Sequence, residues 1–268
     1  MRPFFIDTAN TKYIETLWEQ LQSHVDPQNV VGVTTNPNAF LKTSDLTLPQ
    51  WFSRTKELCK LVTQIRGDDR GVVYIQGPSS KMTPQGTLDY AKRVRELGDG
   101  QTKVGLKIPP YKDILRIVPQ LSTIVDVNVT GVADAGTALR CASYGVRYVS
   151  VIPGRMEEAG IDAPRQIDYI RSANLFGTDI IAGSMRTIAG LKWTIEYGTV
   201  PTIGERVWNL LLESPAALEM IASLEVKSDF PASEFCPVID SRSFKLSHAF
   251  FQQMDQCGQQ AAESLWTL

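Results

Sequence analysis

The chain has 268 residues, 43% of them apolar, enough for one sizeable core. Its 27 basic and 29 acidic side chains leave a net charge of −2, and no long basic run offers a nucleic-acid surface. No window approaches the roughly 20 apolar residues that span a bilayer, and four widely spaced cysteines (Cys59, Cys141, Cys236 and Cys257) form no C-x-x-C pair, which points away from zinc, redox chemistry and an oxidising compartment.

From the start, short apolar runs alternate with amphipathic segments. FFID (4–7) reads as a strand and YIETLWEQLQ (13–22) as a helix. VVGVTT (30–35) is a strand ending at Asn36-Pro37, followed by a helix over 48–65. VVYIQ (72–76) is a strand and 86–97 a helix. KVGLKI (103–108) is a strand, and 111–121 a helix broken near Pro119. IVDVNVT (124–130) is a strand, and 135–145 a helix stopped by a glycine. RYVSVI (147–152) and the helix 164–174 follow, then DIIAGS (179–184) with the helix 186–198, then TVPTI (199–203) with the helix 204–214. Val- and Ile-rich strands separated by helices predict a parallel sheet covered by helices. Eight such pairs predict an α/β fold of the (β/α)8 TIM-barrel type, with additional C-terminal helices. No G-x-G-x-x-G follows the first strand, which weakens a dinucleotide-binding alternative.

The expected division is a barrel over 1–226 and a C-terminal extension over 227–268. Near the end of the former, 214–226 reads as another helix; within the latter, 228–244 reads as irregular and 246–266 as a helix. Its apolar stripe of Phe250, Met254 and Ala261 needs a surface, either its own barrel or a neighbouring subunit. MRPFFIDTAN lacks the layout of a secretory leader, so a cytoplasmic location is expected. The two histidines, His24 and His248, fall on helical segments and read as solvent-facing or packing residues, which disfavours a histidine metal site or a Ser-His-Asp triad.

The fourth strand carries a chemical oddity. In TKVGLKIPP (102–110), Val104, Leu106 and Ile108 read as buried, yet Lys107 sits among them. Loss of water disfavours the ammonium form, and a neutral amine is a nucleophile, so Lys107 is a candidate Schiff-base lysine. Taken alone, it fits a structural ion pair or an exposed strand end as well.

Other polar residues fall at the same rim, the C-terminal ends of the strands, where this fold keeps its chemistry. Asp7 ends strand one, Asn36 strand two and Gln76 strand three. Asn128 and Thr130 end strand five, Ser150 lies near the end of strand six with Arg155 after it, and Ser184 and Arg186 end strand seven. Each has a structural reading of its own. Asn36-Pro37 makes a turn, Thr130 fits a helix cap, and the arginines fit surface charges.

These segments resemble the transaldolase family, which includes the smaller fructose-6-phosphate aldolases. FFIDTAN (4–10), GVTTNP (32–37), VGLKIP (104–109), NVTGV (128–132), YVSVIPGR (148–155) and IIAGSMR (180–186) carry the resemblance, in family order, with PTIGERVWNLLLESPA (201–216) as the eighth strand and following helices. The resemblance implies transfer of a dihydroxyacetone unit between sugar phosphates through a Schiff base on Lys107. Sedoheptulose 7-phosphate and glyceraldehyde 3-phosphate would give erythrose 4-phosphate and fructose 6-phosphate. It implies Asp7 as the proton acceptor, and Gln76 and Thr130 as holders of the water of imine chemistry. Asn36, Asn128 and Ser150 would bind the sugar, and Arg155, Ser184 and Arg186 the phosphate. No metal and no cofactor is expected, and the partners are sugar phosphates and other copies of the chain, with neither nucleic acid nor membrane.

The chain departs from the family pattern twice. Strand three, VVYIQGP, lacks the glutamate usual in transaldolases. Gln76 is the substitute, as in the aldolases, with Tyr74 of the same strand parity as the other choice. Asp126 shares a face with Asn128 by alternation and is a further carboxylate, one layer deeper, although a paired structural carboxylate is commoner. Ile152 stands where the family carries an aromatic residue, and the missing phenol argues against the aldolase arrangement. Asn128 and Arg186 lean towards transaldolase. The alternatives are an aldolase that releases free dihydroxyacetone and a barrel that binds sugar phosphates without turnover.

Overall fold

Runs of β-branched Val and Ile, stiff at χ1, with Phe and Tyr among them, pair side by side and close on themselves. In the computed structural model, which describes residues 1–41, 47–77, 81–173, 177–227 and 241–262, eight parallel strands form one closed barrel in sequence order. They are β1 (Phe4–Asp7), β2 (Val30–Thr34), β3 (Val72–Gln76), β4 (Lys103–Ile108), β5 (Val127–Val132), β6 (Tyr148–Val151), β7 (Asp179–Ala182) and β8 (Val200–Gly204). β8 closes the ring by pairing with β1, Asp7 opposite Gly204.

Between the strands run α1 (Thr11–Leu21), α2 (Pro37–Leu41), α3 (Leu48–Arg66), α4 (Pro84–Arg95), α5 (Lys112–Leu115), α6 (Val118–Leu121), α7 (Ala135–Ala142), α8 (Pro153–Glu158), α9 (Ala163–Ser172) and α10 (Ile188–Glu196). α11 (Glu205–Leu212), α12 (Pro215–Ala222) and α13 (Ser241–Ala262) follow the last strand. The expected helix over 111–121 is two short helices. Proline at 119 removes a donor and crowds the carbonyl four residues earlier, so the first helix ends before it. Asn36-Pro37 is more than a turn: Asn36 Oδ1 accepts from Ala39 N at 2.9 Å and caps α2. α13 begins at Ser241, inside the stretch read as irregular. Ser243 and Ser247, one helical turn apart, donate to the carbonyls of Ala133 and Gly131, and this tertiary pairing extends the helix. Residues 228–240 and 263–266, and the side chains of Cys257 and Ala261, lie outside what is described.

The barrel interior below the rim is plugged by aromatics. Phe5, Tyr74 and Tyr148 meet edge to face at 5.7–5.9 Å between ring centres and pack with Val72 and Ile181. The main apolar core lies between strands and helices. Cys59 and Cys141 are buried and free there, their thiols pushed up to about 12 chiefly by burial, so they behave as packing groups. No helix among the described residues is long and apolar enough to cross a membrane.

Candidate active site

Lys107 points into the barrel from β4 and is only 8% exposed. Its Nζ donates to the carbonyl of Thr35 at 3.0 Å. Burial holds the amine below the ordinary lysine range, and the negative charge of Asp7 offsets part of that. Asp7, half-buried at the end of β1, accepts at Oδ1 from the hydroxyl of Thr34 at 2.9 Å. The Thr34 hydroxyl in turn accepts from the hydroxyl of Thr202 of β8. This pair of threonines orients the carboxylate, and the sequence reading passed over both. Inward parity on β2 was the available signal for Thr34.

Strand register places Gln76 of β3 and Asn128 of β5 on either side of Lys107. Both are buried, and each keeps one polar atom without a partner among the described residues: Oε1 of Gln76 and Nδ2 of Asn128. Asn128 is otherwise fixed by Ser150 of β6, whose hydroxyl donates to Oδ1 at 2.8 Å. Buried orphan groups cost stability, so two of them flanking a buried amine mark a place kept for a ligand or water. Thr130 is buried on the face of β5 that carries Asn128. It caps no helix: Asp134 does that for α7, accepting from Thr137 N at 2.7 Å.

Two sequence-based options fall away. Tyr74 pairs with Gly105, one layer below Gln76 and Lys107, inside the aromatic plug. Gln76 is therefore the β3 residue level with the amine. Asp126 precedes β5, is exposed, and lines clefts with Thr123 and Gly145 at the N-terminal end of the barrel. The strand starts at Val127, later than alternation suggested, so Asp126 is no part of this rim. Ile152 is buried against Met156 and Ile161 in a satellite apolar cluster.

A cleft of about 370 Å³ opens next to Asp7 and is lined by Asn36, Arg155, Ser184, Arg186 and Glu205. The sequence-predicted residues therefore form two connected groups. Lys107, Gln76, Asn128, Thr130 and Ser150 are buried, while Asn36, Arg155, Ser184 and Arg186 are half-buried. Asp7 belongs to both. Ser184 sits at φ 58°, a backbone region costly for a residue with a side chain. Its carbonyl packs so closely on Gly154 that a Cβ there would lie 1.9 Å from the oxygen. Arg186 pairs with Glu158 at 3.1 Å. Arg155 is held below the ordinary arginine range by burial first and then by the nearby positive charge of Arg186. Two guanidiniums crowded into one cleft suit an anion. Glu205, at the start of α11 and bonded to the Thr8 hydroxyl, is a cleft residue the sequence reading missed, because no rim residue had been assigned to strand eight. Among the described residues no group of three or more His, Cys, Asp or Glu could hold a metal ion.

A buried amine, an adjoining carboxylate and an arginine-lined cleft at the C-terminal rim of eight parallel strands are the layout of a (β/α)8-barrel enzyme. The model of the Transaldolase/Fructose-6-phosphate aldolase family matches residues 4–256. The chain belongs to that family, and it is an aldolase-type enzyme by that membership. Similar proteins include a "Probable transaldolase" of Thermodesulfovibrio yellowstonii, 33% identical over 79% of this chain and 91% of the relative. Another, of Thermoplasma acidophilum, is 29% identical over 81% of this chain and 91% of the relative. Among solved structures, thiamine phosphate pyrophosphorylase from Pyrococcus furiosus superposes with a TM-score of 0.52 over 82% of this chain and 96% of that one. At 11% identity that likeness concerns the barrel alone.

Proposed function

We propose that the protein is a transaldolase that moves a dihydroxyacetone unit between sugar phosphates by a Schiff base on Lys107. The observation that carries this reading is the buried amine, held below its ordinary range beside the carboxylate of Asp7. Neutral Nζ attacks the ketone carbon of fructose 6-phosphate or sedoheptulose 7-phosphate, and loss of water gives an iminium ion. Asp7 takes the proton of the C4 hydroxyl, the C3–C4 bond breaks, and its electron pair flows into the iminium. An aldose phosphate leaves, and the enamine stays on Lys107. It then attacks the carbonyl carbon of an acceptor aldehyde, Asp7 returns the proton, and water frees the new ketose. Asn36 and Asn128 hydrogen-bond the sugar hydroxyls, and a sugar lacking them would leave these groups unpaired. Ser150 steadies Asn128. Gln76 and Thr130 hold the water that leaves and returns. Arg155, Ser184 and Arg186 bind the phosphate.

A second reading has one specific observation behind it. The β3 residue beside Lys107 is Gln76 and not a carboxylate, as in an aldolase whose enamine is protonated and hydrolysed to free dihydroxyacetone. Borohydride reduction in the presence of fructose 6-phosphate, followed by peptide mass analysis, tests both. An unmodified Lys107 peptide leaves only a binding barrel. Product analysis with and without erythrose 4-phosphate then separates transfer from release. The same reading takes the protein as a cytoplasmic assembly of like subunits, which sedimentation velocity would check.

A further inference from the structure

After β8 the chain leaves the barrel, and α13 brings it back to the mouth, where it packs against α2, β5 and α8. The seat is fixed at three points. Ser243 donates to the Ala133 carbonyl at 2.9 Å and Ser247 to the Gly131 carbonyl at 2.6 Å. Phe250, Phe251 and Met254 form a buried cluster of their own. Gly131 has φ +73°, and a Cβ there would come within 2.7 Å of the Phe251 ring, so the helix lies on β5 without slack.

From this seat α13 reaches the cleft. The Gln253 side-chain oxygen accepts from Arg155 Nη2 at 3.1 Å. The Phe250 ring lies 5.1 Å from the centre of the same guanidinium, a cation–π distance. The Arg155 Nε is buried and has no partner among the described residues. The group is thus held on one face and at one terminal nitrogen, with a donor to spare. Nothing in the barrel's own sequence of strands and helices supplies these two contacts.

We propose that α13 is part of the substrate site, with Phe250 and Gln253 acting as positioning residues that hold Arg155 in its working orientation for the phosphate of the ligand. This rests on the reading that Arg155 binds phosphate. A guanidinium that must carry its charge half-buried and beside Arg186 gains from a ring face and a fixed acceptor. It also keeps less rotamer freedom to lose when the anion arrives. The contact with Phe250 discriminates by charge and orientation, so it affects binding of phosphorylated ligands and leaves the chemistry at Lys107 alone.

The test uses full-length Phe250→Ala, Phe250→Tyr and Gln253→Leu. Gln253 is exposed, so its replacement does not threaten folding, and Tyr keeps the ring. The measurements are KM and kcat for fructose 6-phosphate, inhibition by inorganic phosphate, and borohydride trapping of unphosphorylated dihydroxyacetone on Lys107. Phe250→Ala should raise KM and the phosphate inhibition constant about tenfold. Gln253→Leu should raise both by a smaller factor, and Phe250→Tyr should restore them. For all three, kcat and trapping should match the parent protein. Unchanged KM and phosphate inhibition in Phe250→Ala and Gln253→Leu would overturn the proposal, and so would a parallel loss of trapping, which denotes a merely structural helix. Failure of the underlying reading has its own signature: Arg155→Ala leaves phosphate inhibition untouched, and the proposal falls with it.

Discussion

Gly154→Ala probes the geometry of the cleft directly. Gly154 is the second residue of α8, immediately before Arg155, and it lies against the turn after β7. A Cβ on it would sit 1.9 Å from the Ser184 carbonyl oxygen and 2.9 Å from its carbon. Real Cβ contacts stay beyond 3.0 Å, so α8 and the turn must part by about 1 Å or more. The turn has little freedom to yield, because Ser184 already occupies the left-handed region. Overpacking of this kind costs about 1–3 kcal/mol, which for a chain of this size lowers Tm by roughly 2–12 °C. The functional effect is larger. Parting the two segments shifts Arg155 relative to Ser184 and Arg186, and a misplacement of about 1 Å costs on the order of 100-fold in kcat/KM. The assays are thermal unfolding and steady-state kinetics with a phosphorylated ketose, together with borohydride trapping of dihydroxyacetone. Trapping should persist, since Lys107 stands on β4 with its own contacts. A variant that melts with the parent and keeps its kcat/KM would refute the close contact and the argument built on it.

Lys107→Met should abolish adduct formation. The amine's pKa is lowered on folding, so its burial penalty is full below the folded value and fades as pH rises to the ordinary 10.5. The stability difference between Lys107→Met and the parent should therefore shrink from pH 7 towards pH 10.5, and melting curves that show a constant difference would contradict a buried neutral amine. Asp7→Asn should lower kcat by about 10²–10⁴ while a Lys107 adduct is still trapped; loss of the adduct instead would assign Asp7 to imine formation. Tyr74→Phe removes a buried hydroxyl with no partner among the described residues, so stability should stay equal or rise by up to about 1 kcal/mol. A denaturant midpoint that falls would reveal an ordered partner.

The barrel was readable because its signal is periodic and repeated. Eight β-branched runs separated by amphipathic helices leave few topologies open. What escaped was short and tertiary. α2 and α8 are five and six residues long, too brief for a helical period, and the start of α2 at Asn36-Pro37 reads equally well as a turn. The first turn of α13 exists because Ser243 and Ser247 bond to carbonyls more than a hundred residues away. No local pattern carries that information. Asp126 went wrong for a related reason: alternation assigns a face only once the strand's first residue is known, and β5 starts after it.

The candidate site was legible for the opposite reason, because its residues break local rules. A lysine inside an apolar strand, an asparagine among valines and a glutamine ending VVYIQ are each costly, and such costs gather where function needs them. The structure sharpens that logic. Lys107, Gln76 and Asn128 sit next to one another in register, so the amine and the two orphan polar atoms share one level of the barrel. An internal water network alone would account for the orphans, but it would not account for a lysine that, among the described residues, hydrogen-bonds a backbone carbonyl and has no carboxylate oxygen within ion-pair distance. A structural ion pair, the rival explanation from sequence, would bring a carboxylate oxygen within bonding distance of Nζ and restore the ammonium form. Here the Asp7 charge offsets burial only in part. That partial offset favours the proposed reading of an amine available for bonding to carbon over one that only holds the fold together.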